Sequence, residues 1–305
     1  MDAPDDFDPK PGQAEPVAPG IRRVLCNNPS AFTYRGTNTY LLGAGGGVAV
    51  IDPGPEDRAH LEAILAALGP GEHVSHILVT HAHRDHSPLA GPLAAETGAK
   101  VWAYGDATAG QSEVMRRLAA SGAMGGGEGA DQGFVPDEIV PDGGTISGDG
   151  WSVTGLWTPG HFGNHMAFDA QGEVFSGDLV MGWSTSIVSP PDGDLTDFMA
   201  SCERLAARAP ARLWPGHGAA IEAPADRITW LLGHRRTREA AILEALSEGP
   251  ADAATLADRI YTDIPRALLP AATRNVLAHL VDLMGKSRVA PQTELSAETV
   301  FAITG

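Results

Sequence analysis

Apolar and polar positions alternate in short runs through the first two thirds of the chain, then change to a helical period. Residues 37–42 read as a strand, the glycines at 43–47 as a turn, and 48–51 as a second strand, a β-hairpin pattern. Leu61, Ile64, Leu65 and Leu68 recur at helical spacing and predict a helix over 58–68, closed by Gly69 and Pro70. The apolar run at 77–79 predicts a strand, Pro88 opens a helix that Gly98 ends, and 101–104 is the next strand. Further strands are expected at 145–146, 151–154, 156–157, 165–168 and 173–175. Strands in the centre with helices closing each half predict a layered α/β (α+β) architecture, with sheets face to face and helices outside.

From residue 223 the pattern is mainly helical, with helices expected at 228–246, 256–261 and 267–284. Short strands at 289–290 and 300–303 follow, and three helices then a ribbon is the order of a winged helix-turn-helix. The expected division is therefore an acidic, proline-rich lead over 1–20, a main body over 21–222 and a winged-helix-like domain over 223–305. Residues 105–136 differ in character, because 122–129 is dominated by glycine and small side chains. They read as an insertion or lid that need not be rigid.

Composition narrows the classes. The 305 residues are 43% hydrophobic, ample for a buried core, and carry a net charge of -17. That charge argues against strong binding to duplex DNA or anionic membrane. No window holds the ~18–20 apolar residues of a membrane span, and no basic-then-apolar leader opens the chain, so the expected location is the cytoplasm. Cys26 and Cys202 stand far apart in no metal-type spacing and read as free thiols. Self-association into a homo-oligomer is compatible with this surface.

The chemistry concentrates in Thr80-His81-Ala82-His83-Arg84-Asp85-His86, which follows an apolar strand and packs three imidazoles and a carboxylate into six positions. These are ligand types for Zn²⁺ and other first-row divalent ions. Three further loops each follow a strand-like run and set a candidate ligand beside glycine: Gly160-His161, Gly177-Asp178 and Gly216-His217. Singly, His161 and His217 also suit turns and Asp178 a helix cap; the joint order is far more specific. His165, four residues after His161, is a candidate hydrogen-bond donor or proton shuttle, with a core histidine as the alternative. His60, His73, His76 and His279 sit in helical or strand-edge contexts that suit structural roles.

In this order of motifs, over roughly residues 22–221, the chain resembles the metallo-β-lactamase superfamily. The resemblance implies an αββα sandwich and two metal sites, most simply zinc, with iron or manganese as alternatives. His81, His83 and His161 would hold one ion, Asp85, His86 and His217 the other, and Asp178 would bridge them. A hydroxide shared by two ions ~3.5–4 Å apart would be the nucleophile, with Asp85 and Asp178 beside it. Asp52 matches the family's first motif and would orient a ligand histidine from behind.

Segments outside the metal set resemble the β-lactamase-like protein 2 group, which adds a winged-helix-like C-terminal domain. They are Gly36-Thr37-Asn38-Thr39-Tyr40, Ser189-Pro190-Pro191-Asp192-Gly193-Asp194, and Leu232-Gly233-His234-Arg235-Arg236 with Arg238-Glu239. The animal member of that group is associated with cleavage of single-stranded RNA. That likeness implies a phosphodiester substrate with His234, Arg235 or Arg238 holding phosphate; the alternative for Arg235, Arg236 and Arg238 with Glu239 is a solvated, charge-paired helix face. The loop also resembles that of glyoxalase II, which implies a thioester or other small-molecule ester. The acidic balance leans against RNA and the group resemblance towards it.

Overall fold

The computed structural model describes residues 7–123, 129–262 and 265–304. The start of the acidic lead and most of the glycine-rich stretch in the expected lid lie outside the described residues. The first sheet contains β1 (Ala14–Ala18), β2 (Ile21–Leu25), β3 (Asn38–Leu42), β4 (Gly47–Ile51), β5 (His73–Leu78), β6 (Lys100–Ala103) and β7 (Glu138–Ile139), in that spatial order. The first four pair antiparallel, and β4 to β7 run parallel. Parallel neighbours need crossovers, here α1 (Arg58–Ala66) and α2 (Ala90–Thr97). Asp57 caps α1 by accepting from the Ala59 N–H at 2.9 Å, and Gly98 ends α2 at φ 75°, a backbone angle that suits glycine.

The insertion contributes α3 (Glu113–Ala120). The second sheet has the order β12-β11-β10-β9-β8, from β8 (Thr145–Ser147), β9 (Ser152–Trp157), β10 (Met166–Ala170), β11 (Glu173–Gly177) and β12 (Arg212–Pro215). Its one parallel pair, β11 with β12, is joined through α4 (Leu195–Ala207).

Three apolar clusters define the layers. Tyr40, Ile51 and Leu78 of the first sheet meet Phe168, Phe175 and Trp214 of the second in the central core. Leu61, Ile64 and Leu93 of the first helices cover the outer face of the first sheet. Phe198, Cys202 and Leu205 of α4 cover that of the second. The result is a four-layer αββα sandwich. Both cysteines are buried and free.

Beyond the sandwich come α5 (Pro224–Ser247), α6 (Ala253–Ile260), α7 (Leu269–Gly285) and the antiparallel ribbon β13 (Val289–Pro291) and β14 (Phe301–Ile303). The 24 residues of α5 serve both bodies. Ile228, Leu231 and Leu232 pack with α4 on the sandwich, whereas Ile242 and Leu246 belong to the C-terminal core. Met115 and Leu118 of α3 join that same C-terminal core, so the described part of the insertion is pinned to the tail.

Three strand or helix assignments differ from the sequence expectation. The second half of the lead pairs as β1 on β2, where Arg23 meets Glu15 at 2.5 Å and Arg22 meets Glu72 at 2.7 Å. Those charges hid the strand character of both segments. The unassigned stretch after Asp194 is α4, whose buried Leu195, Phe198, Ser201, Cys202 and Leu205 follow a helical period.

The shared cluster makes α3 testable. Leu118→Ala is expected to cost about 2–5 kcal/mol in urea unfolding, as for other buried leucines. Ile139→Ala, at a side chain 70% exposed, is expected to change stability little.

Candidate metal centre

Every candidate ligand sits just past the carboxyl end of a strand, where loops from both sheets converge on one edge of the sandwich. Asp52 follows β4, the histidine loop follows β5, His161 follows β9, Asp178 follows β11 and His217 follows β12. Asp52 is buried and lies at φ 50°, a left-handed angle that aspartate tolerates better than most residues. Its carboxylate accepts from the Thr80 N–H at 2.7 Å, the Thr80 hydroxyl at 2.8 Å and His86 Nδ1 at 3.0 Å.

Two groups of ligand atoms result, His81/His83/His161 and Asp85/His86/Asp178/His217, each with its atoms within 4.8 Å of one another. In the first, His83 Nδ1 lies 2.9 Å from His81 Nε2 and 3.0 Å from His161 Nε2. In the second, His217 Nε2 lies 3.1 Å from Asp85 Oδ2 and 3.3 Å from Asp178 Oδ2. Asp178 Oδ2 is also 3.7 Å from His161 Nε2, so this carboxylate stands between the groups.

The far side of each ring decides what the near side offers. His161 Nδ1 donates to the Ile187 carbonyl at 2.7 Å, and His217 Nδ1 to the Gly36 carbonyl at 3.1 Å. His86 Nδ1 donates to Asp52, and His81 Nδ1 lies 2.9 Å from the Thr80 hydroxyl, whose own hydrogen goes to Asp52. A neutral imidazole that donates through Nδ1 carries a lone pair on Nε2. In their neutral forms four such Nε2 lone pairs point inward, together with His83 Nδ1; at His86 and His217 a cation would take the place of a proton. Asp85 Oδ1 and Asp178 Oδ1 are buried with no hydrogen-bond partner among the described residues. Lone pairs facing one another across hydrogen-bond distances suit divalent cations, and the donor set fits two of them.

The two groups differ in protonation. Burial, reinforced by neighbouring imidazoles, holds His81 well below its usual value and His83 down at about 3, and burial lowers His161 as well. Burial also acts downward on His86 and His217, but the Asp85 and Asp178 carboxylates reverse it. His86 rises well above its usual value and His217 to about 10. Burial pushes Asp85 and Asp178 upward, yet the facing histidines pull both below the usual carboxylate range. Without metal, the first group is neutral near pH 7 and the second holds protons.

Not every candidate joins the cluster. His165 is fully buried: its Nδ1 donates to the Thr158 hydroxyl at 2.9 Å and its Nε2 accepts the Asp178 N–H at 3.2 Å. It steadies the backbone of Asp178 and has no free nitrogen for proton shuttling. Arg235 is also buried; it donates to Asn275 Oδ1 at 2.6 Å and to the Ser186 carbonyl, and its guanidinium lies over Phe198. This corrects the expectation that it meets substrate: an arginine inside the helix packing has no surface to offer. His234 stacks on Trp230 and Arg238 lies over Tyr261, both half-buried on α5 and outside the ligand cluster.

Asn164 was not among the sequence candidates. Its Oδ1 accepts from the Ala82 N–H at 3.1 Å and its Nδ2 donates to the Gly105 and Asp106 carbonyls, which ties the loop between His81 and His83 to the insertion. Its place in Gly163-Asn164-His165 was the only available signal. Beside the centre opens a cavity of about 530 Å³ lined by Arg84, Thr108, Gln111, Gln132, Phe162 and Asp192. The Phe162 ring stands 4.8 Å from that of His83, and burial pushes Asp192 up to about 6.

Comparison with known proteins agrees with this geometry. A family model described as the metallo-beta-lactamase superfamily matches residues 33–217, and one described as a beta-lactamase associated winged helix domain matches 253–294. The chain is 32% identical over 290 residues to a beta-lactamase-like protein 2 homolog of Drosophila melanogaster, covering 90% of this chain and 91% of that one. It is 30% identical over 254 residues to an atrochrysone carboxyl ACP thioesterase of Aspergillus fumigatus, covering 81% of this chain and 71% of that one. Among solved structures, a beta-lactamase domain protein from Burkholderia ambifaria superposes with a TM-score of 0.80 at 23% identity, covering 99% and 97% of the two chains. A metallo-beta-lactamase family protein from Thermus thermophilus gives 0.76 at 24%, covering 95% and 100%. These two likenesses concern the fold.

Chelator competition with zinc-loaded protein is expected to resolve one ion for each of the two groups. Lowering the pH from about 8 to about 5 is expected to weaken the ion at Asp85/His86/Asp178/His217, because below about 10 the proton on His217 competes with it. The ion at His81/His83/His161 should hold its affinity across that range. Parallel weakening of both ions would contradict the assignment of protons to one group.

Proposed function

Because the chain belongs to the metallo-beta-lactamase superfamily, we propose that it is a metal-dependent hydrolase acting on a thioester or ester of a small acid. Two divalent ions, zinc by donor type with iron or manganese as alternatives, would supply an activated water and polarise the substrate oxygen. His81, His83 and His161 would hold one ion, Asp85, His86 and His217 the other, with Asp178 shared. Asp85 Oδ1 and Asp178 Oδ1, which have no hydrogen-bond partner among the described residues, are acceptors open to such a water. Hydrolysis adds that water to the carbonyl carbon and breaks the carbon–sulfur or carbon–oxygen bond, the leaving thiol or alcohol departing with a proton.

The observation that carries the choice of substrate is where the cations lie. Cleaving a polyanion calls for exposed cations along a groove. Here Arg227 and Arg235 are buried with carbonyl partners, and Arg236 pairs with Glu203 at 3.1 Å. The cavity beside His83 instead offers one arginine, the Asp192 carboxyl, two amides, a hydroxyl and an apolar wall, a mixed lining suited to a small amide-bearing acyl carrier more than to a polyanion. The likeness to a thioesterase supports the same reading. A second reading, hydrolysis of single-stranded RNA, draws on the likeness to the β-lactamase-like protein 2 group and on His234 and Arg238, which form no ion pair among the described residues. The proposed setting is the cytoplasm, where both substrate classes occur.

Side-by-side assays of metal-loaded protein on S-acylglutathione, a generic phosphodiester and single-stranded RNA test the choice. Thioester turnover is expected, and Asp178→Asn should reduce it roughly 100-fold or more, the scale of losing one preorganised charge at a reacting centre. RNA cleavage without thioester turnover would reverse the ranking.

A further inference from the structure

The loop from Asp178 to Ile187 touches the metal centre at both ends. Asp178 contributes its carboxylate directly, and the Ile187 carbonyl takes the Nδ1 hydrogen of His161 at 2.7 Å. Between these ends the loop has no strand or helix, so its carbonyls need side-chain donors; Ser186 Oγ serves the Leu179 carbonyl at 2.8 Å from within the loop. Two come from α5. Arg227 Nε donates to the Met181 carbonyl at 2.6 Å, and its Nη2 to the Ser184 carbonyl at 2.5 Å. Arg235, two helical turns on, donates to the Ser186 carbonyl, one residue before Ile187. Both guanidiniums are themselves fixed: Arg227 lies over Trp230, and Arg235 lies over Phe198 with its other arm on Asn275 of α7. Neither pairs with a carboxylate among the described residues.

We propose that Arg227 and Arg235 are positioning residues for the metal ligand His161, through the carbonyls of the 181–187 loop. The guanidinium fork suits the task because it holds separate acceptors in a fixed plane, which a lysine cannot do. Held there, the Ile187 carbonyl keeps His161 in the tautomer that leaves Nε2 unprotonated and aimed at His83. Release of the Ser186 carbonyl lets the next peptide rotate, and the imidazole loses its orientation and its fixed tautomer. The C-terminal helices then belong to the metal centre as its outer support. This inference rests on the ligand geometry and holds whichever bond the enzyme cleaves.

A double-mutant cycle on metal affinity tests it, using the full chain, zinc and a chromophoric chelator. Arg235→Met and Arg235→Lys are each expected to lower the affinity of the His81/His83/His161 group by roughly 10–100-fold, the range for removing a partner behind a ligand. The Asp85/His86/Asp178/His217 group should keep its affinity, and in a His161→Ala background the Arg235 substitutions should add no further loss. The control Arg236→Ala, at an exposed side chain, is expected to change neither constant. Should the Arg235 variants not fold, Arg227→Lys and Asn275→Ala carry the same test, since each loosens the brace and leaves Arg235 in place. Lowered thermal stability with both zinc constants unchanged, or an equal fall in both, would overturn the proposal. So would the same loss with and without His161.

Discussion

The carboxylate of Asp52 is the point on which the metal centre turns. It receives three hydrogens from one loop: two from Thr80 and one from His86. Thr80 in turn receives His81 Nδ1. One acid therefore orients a ligand in each metal group, His81 directly behind Thr80 and His86 by contact. The left-handed backbone at Asp52 costs on the order of 1–3 kcal/mol. Three hydrogen bonds to a charged acceptor, at about 1.5–3 kcal/mol each, offset that readily. Its burial beneath the ligands keeps water from competing for the same hydrogens.

Two further candidate ligands are held the same way, but by backbone. His161 and His217 present Nε2 because Ile187 and Gly36 accept at Nδ1. His165, though a histidine in the same neighbourhood, is turned to support the Asp178 N–H. The difference lies in which nitrogen finds a partner outside the cluster. Those carbonyls belong to loops, and loops need bracing. Trp183 stacks on Tyr34 at 4.9 Å between ring centres, which joins the segment before Gly36 to the loop that carries Ile187. Arg227 and Arg235 of α5 donate to carbonyls of the same loop. A tail that reads as a separate winged-helix domain thus reaches the site through a helix it shares with the sandwich.

The net charge of -17 gains a more specific meaning from this arrangement. Few cations are available to begin with, and several are enclosed or paired: Arg22 with Glu72, Arg204 with Asp142, Arg212 with Glu222. The centre gathers its positive potential from the ions it would bind, since its own ligands add two carboxylates and neutral rings.

By itself, the sequence determined the layered architecture, the hairpin over 37–51, the helical tail and the seven candidate ligand positions that the fold brings together. Those features are local: a period of two or of helical spacing, a glycine turn, a donor set in a fixed order. α4 was not among the expected elements, although Asp194 stands as its N-cap and Leu195, Phe198 and Leu205 keep a helical period. Nor were β1 and β2, because their arginines and glutamates find partners only across strands and loops. The roles of Arg235, His165 and Asn164 belonged to the tertiary structure alone. An arginine reads as a surface cation until Phe198, Asn275 and Ser186 close around it. A histidine's proton is assigned by a carbonyl far along the chain, and no side chain records which carbonyl that is.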